Sequence, residues 1–300
     1  MFGHQKIILL YLLIFLSTYT QGKTKYTYRC HSKVPYFFKK HQPKNETETT
    51  GNNVTEKIVG GDRVPKLIPW QVSLKFDHYL QGMVHYCGGI ILDEKTILTA
   101  AHCKPWATDF VMAGSRGSQG QKLYIDKMVK NPYKPYNGNT LNNDIMILKL
   151  KKPIWFGEPT DPLKERAGPV CLPSRYYEPA PQTICYVSGW GAAHYNGHSD
   201  PGLLKYAAVP IIGKEICRDK YRKHIHITND TMICAGKPGV DSCQGDSGGP
   251  LVCIENNKPV VVGVVSFGVG CGSGLFPGVY AKVTNYIKWI KAQMEFKESE

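Results

Sequence analysis

Three hundred residues, 42% hydrophobic and 20% charged, are enough to bury a full core and exclude a disordered or fibrous chain. The formal charge of +13 is uneven: residues 1–57 carry nine Lys/Arg against three Asp/Glu, and the remainder 28 against 21. Ten cysteines without a CxxC pair argue against zinc and for disulfides formed in an oxidising compartment.

The first element along the chain is apolar. Lys6 precedes ten unbroken apolar residues, Ile7 to Leu16, followed by small and polar ones. A spanning helix needs about 20 apolar residues, so the run fits a signal peptide over 1–22, with Thr20 and Gly22 in the cleavage region. No clean A-x-A is present, so cleavage and retention as an anchor both stay open. Secretion without stable membrane insertion is the expectation. Residues 23–57 read as a pro-segment, and its second half, KKHQPKNETETTGNNVTEK, is too polar to offset its ordering entropy. That half is a linker. It carries two N-x-Thr sequons, Asn45 and Asn53, and a third lies at Asn229; each is a glycosylation acceptor in a secreted chain.

Beyond the linker, short β-rich runs alternate with Gly, Pro and Asn turns: GGIIL, TILTA, FVMAG, KLYIDKMV, DIMILKL, ICYVSGW, LKYAAVPII, PLVCI, PVVVGVVSF and GVYAKV. This spacing predicts antiparallel sandwiches or barrels. A helix is predicted at the end, where Thr284 caps NYIKWIKAQM and Tyr286, Trp289 and Ile290 share a face. The densest basic run, CRDKYRKHIHI (217–227), reads as a solvated face first and a polyanion patch second.

Three stretches carry chemistry: TAAHC with His102, NNDIMILKL with Asp144, and GVDSCQGDSGGPLVC with Ser247. Each residue alone has an ordinary explanation, since Ser, Gly and Asp are loop residues and an isolated His beside a Cys is commonly structural. Together they supply what a serine nucleophile needs: a histidine to take its proton and a carboxylate to fix the histidine's tautomer. Joined to IVGG upstream, the pattern resembles the chymotrypsin-like serine proteases, trypsin among them, from Ile58 to the C-terminal helix.

The resemblance implies an all-β chain with two antiparallel Greek-key β-barrels, an active site in the cleft between them and a C-terminal α-helix. It implies a triad of His102, Asp144 and Ser247, and an oxyanion hole from the N–H groups of Gly245 and Ser247. Asp241 would lie at the floor of the primary specificity pocket, beside Ser242 and between walls at Gly268 and Gly278. An anion in a narrow slot calls for a substrate Arg or Lys, and the choice between them stays open. Cleavage between Lys57 and Ile58 would release an α-ammonium to pair with Asp246. That cut also follows a lysine, so self-activation is conceivable. The disulfides implied are Cys87–Cys103, Cys185–Cys253, Cys217–Cys234, Cys243–Cys271 and a tether, Cys30–Cys171. The chain then reads as a secreted zymogen, a monomer without cofactor or nucleic acid, whose partners are polypeptide substrates and protease inhibitors.

Two departures stand out. Phe267 follows the serine of SFG where the family usually has Trp, and GSRGSQGQKLYIDKMVKN (114–131) has Asp126 as its one acid. Calcium takes several oxygen ligands, so no metal site is expected there. Two readings of other classes remain: a catalytically dead scaffold, which the intact triad and pocket acid oppose, and a glycosaminoglycan-binding protein led by its charge.

Overall fold

The structure, a computed structural model, describes residues 30–41, 61–117, 119–157, 166–192 and 203–295. The apolar N-terminal run, Asn45, Asn53, Lys57 and Ile58 lie outside these residues.

The first barrel comprises β2 (Gln71–His78), β3 (Gly82–Ile91), β4 (Thr96–Thr99), β5 (Phe110–Ala113), β6 (Gln121–Lys130) and β7 (Met146–Leu150). It closes in the order β2-β3-β4-β7-β6-β5 with antiparallel pairing throughout. Strand β6 shows why such segments fold this way: Leu123 and Ile125 point inward while Lys122, Tyr124 and Asp126 stay outside or at the rim, a period of two. The segment screened above for calcium is therefore mostly barrel wall.

The second barrel comprises β8 (Ile184–Gly189), β9 (Lys205–Ile212), β10 (Met232–Ala235), β11 (Pro250–Glu255), β12 (Lys258–Phe267) and β13 (Gly278–Lys282). Its order is β9-β10-β13-β12-β11-β8, and pairing of β8 with β9 closes it. A short β1 (Asp62–Arg63) pairs with Tyr206 and Lys205 of β9, fastening the chain that follows Ile58 to this barrel. The two-barrel expectation holds. So do the five cystine pairings, Cys30–Cys171, Cys87–Cys103, Cys185–Cys253, Cys217–Cys234 and Cys243–Cys271.

All ten β-rich runs are strands, but β1, β2, β10 and one helix were not foreseen. That helix, α1 (Lys214–Tyr221), overlaps the start of the basic run and buries only Cys217 and Tyr221, and part of the run's charge is tied up. Lys220 donates to the carbonyls of Gly274 and Leu275 at 3.3 and 2.8 Å, and Arg222 pairs with Asp219 at 3.1 Å. The C-terminal helix α2 (Ile287–Glu295) starts later than expected, because Val283–Tyr286 forms a 3₁₀ turn with Val283 and Tyr286 buried. Thr284 is inside that turn and does not cap α2. The apolar face of Tyr286, Trp289 and Ile290 is buried as the pattern required.

Residues 30–41 contribute to the core. Beyond Cys30 the His31 N–H donates to the Pro169 carbonyl at 2.7 Å, and a 3₁₀ turn spans Tyr36–His41. Phe37 and Phe38 are each 1% exposed. Phe38 stacks flat on Tyr186 with centroids 4.0 Å apart, and the Tyr186 hydroxyl donates to the Phe38 carbonyl. Phe37 meets Tyr206 at 4.8 Å, so the aromatic pair wedges onto strands of the second barrel. Losing a buried phenyl ring typically costs ~3–5 kcal/mol. Phe38→Ala is expected to lower stability by about that amount in thermal or urea unfolding. Tyr36→Ala, at a largely exposed ring, should stay within about 0.5 kcal/mol of the parent.

Candidate active site

His102 lies in a 3₁₀ turn, Ala101–Cys103, that follows β4, and Cys103 is pinned to Cys87 of β3. Asp144 lies just before β7. Because Thr99 of β4 faces Met146 of β7, the pairing brings both residues to one end of the barrel. His102 Nδ1 lies 2.6 Å from Asp144 Oδ2, and the His102 N–H donates to Oδ1 at 2.9 Å. The carboxylate only accepts, so Nδ1 carries the hydrogen and Nε2 is left as the basic nitrogen. Asp144 is buried while the imidazole is 31% exposed, which gives a fixed acid beneath a reachable base.

A third donor was missed from sequence. The Ser266 hydroxyl donates to Asp144 Oδ2 at 2.5 Å, crossing from the second barrel to the first. Ser266 is placed by a register shift in the β12–β13 pairing between Val265 and Phe267; such a bulge re-aims a side chain. One-dimensional spacing carries no signal for that. Cys87, His102 and Cys103 lie close enough to suggest a metal, but the two sulfurs are joined to each other and offer no thiolate.

Ser247 is held through its neighbours. Its carbonyl accepts from Gly88 N at 2.7 Å, and Gly248 N donates to the Val265 carbonyl at 2.9 Å. Gly248 has φ +78°, and a Cβ there would sit 2.3 Å from Thr99 Oγ1 and 2.5 Å from the Gly88 carbonyl. The loop therefore touches the first barrel just ahead of the His102 turn. Among the described residues Ser247 Oγ makes no hydrogen bond, an arrangement common where the catalytic contact tightens only with substrate.

The backbone N–H groups of Gly245 and Ser247 likewise have no acceptor among the described residues. Gly245 adopts φ +94°, and its carbonyl is turned onto His85 Nε2 at 2.8 Å. His85 Nδ1 accepts from Ser73 Oγ at 2.7 Å. Burial holds this imidazole down at about 4, so it is neutral and its Nε2–H is available to the Gly245 carbonyl. Ser73 and His85 were also missed; nothing local marks residues that act through a chain of two hydrogen bonds.

Asp246 is fully buried, accepting from Gly191 N at 2.8 Å and Cys243 N at 2.9 Å. It has no ion-pair partner among the described residues, and burial pushes its carboxyl up to about 6 against the pull of those two N–H groups and of the Lys205 charge. Ile58, its expected partner, is outside the described residues. Asp241 is 2% exposed and accepts from Ser242 N at 2.8 Å. Burial raises it to about 7, opposed by N–H groups of Ser242 and Gly272 and reinforced by the charge of Asp246.

Gly278 borders this carboxylate closely: a Cβ would lie 2.6 Å from Asp241 Oδ1 and 3.2 Å from Ser242 Oγ. At Gly268 the nearest atom to an added Cβ is 3.7 Å away, so that wall is open. The Cys243–Cys271 bond ties the loop of Asp241 to the loop after Gly268. Tyr280, also unforeseen, brings a buried hydroxyl to the same floor, 3.2 Å from that notional Gly278 Cβ. Phe267 keeps an aromatic wall and packs edge-on against Tyr221 at 5.9 Å.

The loop of Ser247, an acid-supported imidazole and two N–H groups without an acceptor among the described residues thus meet at the seam of two barrels. The family model described as Trypsin matches residues 58–290. The chain belongs to the trypsin family. It is therefore a serine protease of the chymotrypsin type, a hydrolase acting on polypeptides.

Gly248→Ala tests how the seam positions the site. The added methyl has nowhere to go, so the loop should move away from Thr99; a shift near 1 Å can cost ~100-fold in reaction. Labelling of Ser247 by a fluorophosphonate is expected to slow by about that factor while near-ultraviolet circular dichroism keeps its folded signature.

Proposed function

We propose that this chain is a secreted zymogen, cut between Lys57 and Ile58, that hydrolyses peptide bonds after Arg or Lys. The observation that carries the specificity is Asp241: a carboxylate 2% exposed, walled by glycines, with no cation beside it among the described residues. Such a group favours a ligand that brings its own positive charge. A Ser242 hydroxyl at the same floor suits either a guanidinium or an ammonium.

In the reaction, His102 Nε2 takes the Ser247 proton as Oγ attacks the carbonyl of the residue whose side chain fills the pocket. Asp144 keeps the proton on Nδ1 and stabilises the imidazolium. The N–H groups of Gly245 and Ser247 receive the oxyanion; one such donor is typically worth ~3 kcal/mol in the transition state. The imidazolium protonates the leaving amine, and water then repeats the sequence on the acyl-enzyme.

Activation follows from Asp246. A new α-ammonium at Ile58 would supply the cation that this carboxylate lacks, and β1 already anchors the following residues to β9. The Cys30–Cys171 bond supports continued attachment of the N-terminal segment after cleavage. Cleaved protein should run as one species without reductant and as two with it.

Asp241→Ser in the activated enzyme decides the specificity. Cleavage after Arg and Lys should fall by at least ~1,000-fold, the loss expected when a desolvated ion pair is removed, while fluorophosphonate labelling of Ser247 stays within about tenfold. An unchanged peptide-library profile refutes the pocket assignment, and an unlabelled Ser247 in the parent returns the scaffold reading. Protons and cations should also compete for Asp241. Its carboxyl is raised to about 7, so the charged form is lost as pH falls through that value. Benzamidine inhibition is expected to weaken by about tenfold for each pH unit below 7 and to plateau above it.

A further inference from the structure

A second concave site lies away from the seam. It is a cleft of about 910 Å³ between the end of β6 and its following turn, the Arg175–Tyr176 turn, and the start of α2. Its walls mix buried apolar groups, Ile287 and Trp289, with rings held out in solvent, Tyr133 at 89% and Tyr176 at 85% exposure. Four cations line it, Lys130, Lys134, Arg175 and Lys288, and no acidic residue does.

Elsewhere basic side chains find carboxylates: Lys122 on Asp77, Lys214 and Lys282 on Glu178, Arg222 on Asp219. None of the four in the cleft makes an ion pair among the described residues. Lys134 Nζ rests on Asn285 Oδ1 at 2.8 Å, and the Arg175 guanidinium lies 5.3 Å from the Tyr176 ring centre. Hydrogen-bonding capacity is lopsided in the same direction. The Asn131 and Asn285 side-chain oxygens are already engaged, by the backbone N–H groups of Tyr133 and Lys134 and by Lys134 Nζ. Arg175 and Lys288 carry exposed N–H donors with no carboxylate beside them among the described residues. The cleft holds surplus positive charge and surplus donors together.

We propose that this cleft docks an acidic polypeptide segment that carries an aromatic or apolar side chain, as a second contact for a protein substrate or inhibitor. Carboxylates are acceptors only, so they answer both surpluses. The apolar floor and the two tyrosine rings favour a peptide over a sulfated polysaccharide, which has no apolar side chain to cover them. The site shares no residue with Asp241, His102 or Ser247, so it does not depend on the specificity proposed above.

The test uses the full chain with Ser247→Ala, which prevents hydrolysis, and a fluorescein-labelled peptide of alternating Glu and Tyr followed by anisotropy. Binding should weaken steeply with added salt. Arg175→Glu with Lys288→Glu should weaken it by at least ~30-fold, and Tyr176→Ala by about tenfold. Both positions are solvent-facing, and Arg175→Gln with Lys288→Gln, a milder change, should give an intermediate loss. In the Ser247 enzyme these variants should leave hydrolysis of a short unextended amide unchanged. No binding of the peptide overturns the proposal. So does an equal loss from Arg218→Glu on α1 with Lys223→Glu just after it, which would mean net charge alone. Labelled heparin oligosaccharide binding in place of the peptide, and lost with the Arg175/Lys288 reversal, assigns the cleft to a polysaccharide and also overturns it.

Discussion

The contact between Gly248 and the first barrel is the constraint on which the site depends. Two closed barrels have no strand edge left to share, so they meet through side chains and loops and not through a common sheet. At this seam the Ser247 carbonyl takes the Gly88 N–H, and Gly248 lies where any side chain would strike Thr99 and the Gly88 carbonyl. Ser266 reaches back the other way to Asp144. Each barrel thus completes a part of the other's machinery. The imidazole, its acid and the nucleophile loop share one small volume only while both barrels are folded and docked.

The N-terminal aromatic wedge bears on the same docking. Phe37 and Phe38 pack on Tyr206 and Tyr186, which belong to β9 and β8, and Phe38 approaches Trp70 at 6.4 Å from the first-barrel side. Tyr206 also faces Asp62 in β1, so the segment before the linker and the residues after it converge on one strand. A cut within the linker therefore separates two pieces that are each already fastened. The disulfide alone would leave a tether; burial of two phenyl rings makes the segment part of the folded body.

Much of this was legible in the sequence, for identifiable reasons. His102, Asp144 and Ser247 sit in short motifs whose residue types have few other joint uses, and the ten runs of the barrels announce themselves by length and turn chemistry. What escaped notice lacked a local signature. Strand β2, QVSLKFDH, mixes Gln71, Ser73 and Lys75 into a buried stretch and so breaks the apolar pattern a reader looks for. Helix α1 presents mostly charge and buries two side chains, so composition described it as a solvated run. Ser73, His85, Ser266 and Tyr280 act through hydrogen bonds or proximity across the fold, between residues at least twelve positions apart. Thr284 had the chemistry of a cap, but burial of Val283 and Tyr286 drew the chain into a 3₁₀ turn first.

The three buried carboxylates of the site, Asp144, Asp246 and Asp241, differ in how their charge is met, and the difference orders events in the proposed mechanism. Asp144 receives three donors and needs nothing further. Asp246 receives two N–H groups and remains raised to about 6; Asp241 is raised to about 7, in part by the charge of Asp246 itself. The two are therefore coupled. An ammonium arriving at Asp246 removes repulsion from Asp241, which then ionises more readily at neutral pH and holds a substrate cation more tightly. In the proposed mechanism an uncut chain would hold basic side chains more weakly through this coupling. On this proposal, cleavage at the linker and recognition in the pocket would be two answers to one electrostatic deficit, the first supplied by the protein and the second by its substrate.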